Sequence, residues 1–310
     1  MGLRKIFGGR FFDGGWRDDP VARAEFRHTT ARPFFRQHAS SVQGSGKQVQ
    51  VLLWKAFEQV TGQKFKARFQ DLGDCVGQAS GLGVDVLTTV QIALHNLAQK
   101  WLGPVSTEYI YASSRVEIGG GRLRGDGSNG VWAVKSLLKY GTLLRDKYGN
   151  IDLTNYRPDL ARAWGRSGVG VPDELELIGK QKLVRTATLI ENFDEYADAV
   201  SNGFPVLVCS SPGYRLRNDN EGFVSRQRKP MRHAWLGWGV DSLSSRQGGA
   251  LCTSWGDCVS GPDHPLGSPE GTLWVDRDDL DDMLSQGDSY ALSNFDGYPY
   301  QQDTLRYKLF

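Results

Sequence analysis

Gln70-Asp71-Leu72-Gly73-Asp74-Cys75-Val76-Gly77-Gln78-Ala79-Ser80 is the stretch on which the fold turns. From Cys75 onward, Val76, Ala79, Leu82, Val86, Val90, Ala93, Leu94, Leu97 and Trp101 recur at helical spacing, which predicts one long amphipathic helix beginning at the cysteine. A helix N-terminus favours negative charge and lowers the pKa of a thiol placed there. Gln70 lies five residues upstream, where its side-chain amide could reach back beside the Cys75 N–H. Two donors aimed at one point would form an oxyanion hole. Taken alone, Cys75 reads as a half-buried residue at a helix start. A nucleophilic role needs a base from elsewhere in the chain.

Downstream, shorter helical patterns occur around Val131 to Tyr140 and Phe193 to Val200. The pattern then changes to strands at Pro205–Cys209, Ala234–Trp238, Gly249–Cys252 and Thr272–Val275. Helices first and strands second predict an α+β protein, a helical lobe followed by an antiparallel sheet or barrel lobe. Of the five histidines, His28 and His38 are near the N-terminus, His95 is mid-helix and His264 is in a Pro/Gly loop. Only His233 stands at the start of a predicted strand in the sheet half.

The composition narrows the choice of class. A chain of 310 residues can bury a sizeable core without disulfide or metal staples. Its four cysteines, at 75, 209, 252 and 258, include no CxxC pair, which argues against a zinc finger or a disulfide scaffold. We read Cys209, Cys252 and Cys258 as structural. A net charge of +2 gives no global footprint for nucleic acid or membrane. No apolar run reaches the roughly 20 residues of a membrane span, and none near the N-terminus resembles a signal peptide. The expectation is cytoplasmic synthesis with free thiols and no cofactor. The acidic run Asp276, Asp278, Asp279, Asp281 and Asp282 lacks the Gly and Glu of a calcium loop and is read as a helix start.

In their order, these residues resemble the papain-like cysteine peptidases over roughly residues 68 to 276. Gln70 and Cys75 look like that family's oxyanion Gln and nucleophile at the head of the central helix. Gly127-Ser128-Asn129-Gly130-Val131-Trp132-Ala133 is similar to its Gly-rich substrate-binding segment, and Asn202–Val206 to the strand entering the second lobe. His233-Ala234 with Gly237-Trp238-Gly239 matches the catalytic His strand, Thr253-Ser254-Trp255-Gly256 the Asn-Ser-Trp-Gly turn, and Gly271–Val275 the strand after it. The resemblance implies acyl transfer. Cys75 would attack an amide carbonyl, His233 would be its paired base and later acid, and Gln70 with the Cys75 N–H would hold the oxyanion. The backbone of Ser128, Asn129 and Gly130 would pair with an extended peptide or protein substrate. Trp255 would shield the His233–Thr253 pair. The sequence departs from the family in spacing Gln70 and Cys75 one residue closer, at Val76, where a Trp is usual, and at Thr253, a shorter group in the place of the Asn that orients the imidazole. The Gly-Asp-Gly stretch and Gln286-Gly287-Asp288-Ser289-Tyr290 are closer to phage-encoded relatives. That likeness supplies a second reading: a virion structural or assembly protein on the same fold with weakened catalysis.

Residues 1–48 differ from the domain at 49–310, whose helical lobe is placed at about 49–180 and sheet lobe at about 181–310. Eight Arg or Lys and four acids fall within the first 36 residues, interleaved with Phe7, Phe11, Phe12, Trp16, Phe26, Phe34 and Phe35. Gly8, Gly9, Gly14, Gly15, Pro20 and Pro33 interrupt any period. The expectation is an extended arm that docks its aromatics on a partner, virion proteins included, or on its own body, taken ahead of nucleic-acid contact through the arginines. These residues look unlike a helical inhibitory domain. Residues 40–47 are read as a Gly/Ser/Gln linker; Gly46-Lys47 lacks the upstream Gly and following Ser or Thr of a phosphate loop.

Overall fold

The computed structural model describes residues 14–95, 100–181 and 184–309. Its centre is the helix Cys75–His95, buried along almost its whole length. A helix apolar on several faces must be covered on several sides. One side meets the helix Thr107–Ser113 and the other the sheet, in particular the strand His233–Asp241. The helix is described as far as His95, Leu97 lies outside the described residues, and Trp101 is not helical.

The sheet is antiparallel throughout. Thr272–Asp276 pairs with Gly248–Cys252, which pairs with His233–Asp241, followed by Val206–Ser210, Tyr290–Ser293 and Thr186–Leu189. The short strand Gln50–Leu52 adds to His233–Asp241, with Val51 opposite Val240. His233–Asp241 is buried at every position, because sheet neighbours flank it and the central helix covers it. The helices expected near 131–140 and 193–200 form at Gly130–Lys139 and Phe193–Ser201, each started by an Asn side chain accepting a backbone N–H. Asp276 caps Arg277–Leu284 in the same way, as the acidic run predicts. Among the described residues no helix is long and apolar enough to cross a membrane.

The N-terminal segment departs from the expected extended arm. Pro20–Thr29 is a helix, capped by the Asp19 carboxylate, with Ala22 and Phe26 buried. Its Pro sits at the first helical turn, where the missing N–H costs nothing. Residues 40–47 are no free linker either. Ala39 and Val42 are buried, and Asp198 accepts the N–H groups of Gly44 and Gly46 at 2.8 and 2.7 Å. Residues 1–13, with Phe7, Phe11 and Phe12, lie outside the described residues.

Candidate active site

Cys75 opens the central helix as expected, and its surroundings are fixed by buried polar contacts. Asp74 accepts hydrogen bonds from Gln78 Nε2 and from the Tyr156 hydroxyl, both at 2.9 Å. Burial pushes the Asp74 carboxyl up to about 7. Gln70 is fully buried; its Oε1 accepts from Ser254 Oγ at 2.6 Å and its Nε2 donates to the Leu72 carbonyl at 2.8 Å. That amide is oriented by two partners and keeps a second N–H on the same nitrogen.

His233 begins its strand fully buried. Its Nε2 lies 3.0 Å from Thr253 Oγ1. The ring packs at a tilt of 30° on Trp255, 3.9 Å between centroids, and meets Trp235 edge-on at 4.5 Å. The turn at 253–255 therefore supplies both a hydrogen-bond partner and a cover for the imidazole.

Between thiol and imidazole lies a peptide carbonyl from the chain itself. Cys75 Sγ donates to the Gly14 carbonyl oxygen at 2.5 Å, and His233 Nδ1 lies 3.4 Å from the same oxygen. Gly14 N donates to the Met231 carbonyl at 3.2 Å and Trp16 N to the Arg232 carbonyl at 3.0 Å. On the other wall, Ser128 N donates to Gly15 O at 2.9 Å and Arg17 N to Ser128 O at 2.8 Å, a parallel bridge. Trp16 is buried, and its indole N–H donates to Asp288 Oδ2 at 2.7 Å. A Cβ on Gly14 would stand under 3.0 Å from the Met231 and Arg232 carbonyl oxygens. Gly15 has φ +88°, and a Cβ there would stand equally close to the Gly73 carbonyl. Only a Gly-Gly pair threads this gap.

The occupied cleft inverts the expected electrostatics. Burial raises the Cys75 thiol well above its ordinary value; the Ala234 N–H works against that rise and the Asp74 charge adds to it. Burial also lowers His233 to about 3. Desolvation thus outweighs the helix N-terminus, and both groups are neutral here. Of residues 128–130, Ser128 pairs its backbone with Gly15 and Arg17. Asn129 accepts from Trp132 N at 2.9 Å as a helix cap, and Gly130 N donates to Asp288 Oδ2 at 2.7 Å.

Sequence reasoning missed the parts that fill and floor the cleft. Gly14-Gly15-Trp16 reads in sequence only as a chain break. Asp288 reads only as part of a tail, yet it accepts from Trp16, Gly130 and Val131 and is pushed up to about 6 by burial. Cys209, Cys252 and Cys258 are buried free thiols. Among the described residues no group of three or more His, Cys, Asp or Glu could hold a metal ion.

The fold is that of the papain-like cysteine proteases. The chain is similar to xylellain, a cysteine protease from Xylella fastidiosa, with a TM-score of 0.58 and 17% identity over 92% of this chain and 98% of that one. It is also similar to procathepsin B S9 from Trypanosoma congolense, with a TM-score of 0.54 and 12% identity over 96% of each chain. No protein-family model matches the sequence, and no curated protein matches it.

Proposed function

We propose that this chain is a papain-like cysteine peptidase whose cleft is closed by its own residues 14–17. The observation that carries this is one peptide carbonyl, Gly14 C=O, within reach of both Cys75 Sγ and His233 Nδ1 while Thr253 holds the other ring nitrogen. With that segment displaced by a substrate, water reaches the pair and the desolvation that keeps both neutral is relieved. Cys75 Sγ–H passes its proton to His233 Nδ1 and the sulfur attacks the scissile carbonyl carbon. The Cys75 N–H and the remaining Gln70 N–H stabilise the oxyanion. The imidazolium then protonates the departing amine, leaving a thioester. Water, deprotonated by the imidazole, hydrolyses the thioester and frees the thiol. The substrate class is peptide or protein.

Alkylation of Cys75 with iodoacetamide tests this reading. Labelling should be slow in the intact chain, rise when Trp16 is replaced by Ala, and vanish in Cys75→Ala. Labelling of Trp16→Ala no faster than that of free cysteine would sink it.

The filled cleft and Thr253 also support the second reading, an assembly protein on this fold with weakened catalysis. A folded Trp16→Ala chain that labels at Cys75 but cleaves no member of a peptide library would select it. Stoichiometric presence in purified virions would supply its setting.

A further inference from the structure

A cavity of about 580 Å³ is lined by the 121–126 loop and by residues 162–167, and neither Cys75 nor His233 lines it. Five arginines line it, Arg115, Arg122, Arg124, Arg162 and Arg166, with one acid, Asp126. Arg115 is the unusual member. It is buried, and its guanidinium donates only to backbone carbonyls: Gly165 at 3.0 Å, Leu123 at 3.2 Å, Gly125 at 2.7 Å and Gly127. Among the described residues no carboxylate pairs with it. A buried charge ordinarily has a counter-ion, because carbonyl dipoles orient a guanidinium without neutralising it.

The other four arginines are exposed at the rim. Arg122 is set in place by its Nε bond to Gly119 O at 2.9 Å and by Trp132, whose ring centroid is 5.5 Å from its guanidinium carbon. Arg124, Arg162 and Arg166 have no ion-pair partner among the described residues. The helix Pro158–Trp164 brings Arg162 and the residues just after it toward the 121–126 loop, which Arg115 ties down. Positive charge from two chain segments thus converges on one small concavity that holds a single acid.

We propose that this cavity binds a compact anion carrying two or more phosphate groups. Guanidinium forks match phosphate oxygens in pairs, and several of them exceed what one carboxylate can neutralise. The cavity's size suits a small condensed phosphate or a terminal polyphosphate group better than a polymer backbone. This inference stands independently of the peptidase reading, since it uses neither Cys75 nor His233.

The test is calorimetric titration of the intact chain with tripolyphosphate at fixed low ionic strength. The triple variant Arg124→Gln/Arg162→Gln/Arg166→Gln should bind at least about tenfold more weakly. Arg32→Gln/Arg228→Gln/Arg306→Gln removes the same charge from residues that do not line the cavity, and it should bind as the unaltered chain does. Pyrophosphate and orthophosphate should bind progressively more weakly, which separates a multi-phosphate site from one for the free ion. If the triple variant does not fold, Arg166→Gln alone should still weaken binding about threefold or more. Absence of saturable binding would overturn the proposal, as would equal losses in the two triple variants. Tight binding of single-stranded oligonucleotide without binding of tripolyphosphate would overturn it in favour of a nucleic-acid surface.

Discussion

A single oxygen, that of Gly14, lies against both candidate catalytic side chains. It takes the hydrogen bond of the Cys75 thiol and lies within reach of the His233 imidazole, so neither group presents itself to an outside carbonyl. On the far side of the ring, Thr253 Oγ1 is close enough at 3.0 Å to serve as an acceptor, which compensates for the short side chain. Thr253→Ala should therefore lower kcat about tenfold to a hundredfold with little change in KM, and Thr253→Asn should retain most of it. Steady-state kinetics on an arm-released background measure both; an unchanged kcat in Thr253→Ala would leave the hydroxyl without a positioning role. At this scale the sequence was informative where chemistry depends on residue type. Cys75, His233, Gln70 and Thr253 stand out in sequence as candidates by residue type alone. The direction of the thiol's shift does not, since a helix start lowers a thiol pKa and only the packed cleft discloses the opposing desolvation.

Among the elements, the segment at 14–17 was the least legible. Gly14 and Gly15 look like punctuation in sequence, because no period marks a segment whose partners are the distant walls at 128 and 231–232. The central helix and the strand at 233–241 were legible because their apolar patterns are local. The arm's anchor is Trp16, buried with its indole N–H on a buried carboxylate. Replacing Trp16 by Ala should cost roughly 3 kcal/mol of docking from lost burial and a lost charged hydrogen bond. That corresponds to an increase of about a hundredfold in the open fraction, read as the rate of Cys75 alkylation. Gly15→Ala should act in the same direction through its positive φ and the Gly73 carbonyl, whereas Ala at exposed Gly44, which shares a positive φ but does not touch the cleft, should leave alkylation unchanged. Equal rates for unaltered chain and Trp16→Ala would show that the indole does not hold the arm.

For the molecule as a whole, buried titrating groups predict an unusual pH profile. Burial raises Asp74 to about 7 and Asp85 and Asp288 to about 6, against about 3.9 in an unfolded chain. As pH falls, the folded state takes up these protons first, so their contribution to stability grows between about pH 7 and 4 and is constant below. His233 acts in the opposite sense. Its folded value of about 3 lies below the unfolded value near 6.5, so its contribution is lost as pH falls through that interval. Asp74, Asp85 and Asp288 together outweigh His233, which predicts a denaturation midpoint higher near pH 5 than near pH 7.5, with a smaller difference in Asp288→Asn. A midpoint that falls steadily over this window would contradict the assignment. None of this was legible in the sequence, since burial of a particular Asp depends on contacts such as Tyr156 on Asp74 and Val105 on Asp85 that join distant segments. On the proposed peptidase reading, the tethered segment at 14–17 has a further kinetic meaning. A ligand built into the chain never dilutes away, so every incoming peptide would compete against a local concentration set by the tether and not by the solution. Apparent affinity for any substrate is reduced by the fraction of molecules that stand open, while turnover once bound is untouched. Diluting the protein would therefore not relieve the block, whereas cutting the chain between Trp16 and the body would make it relievable by dilution.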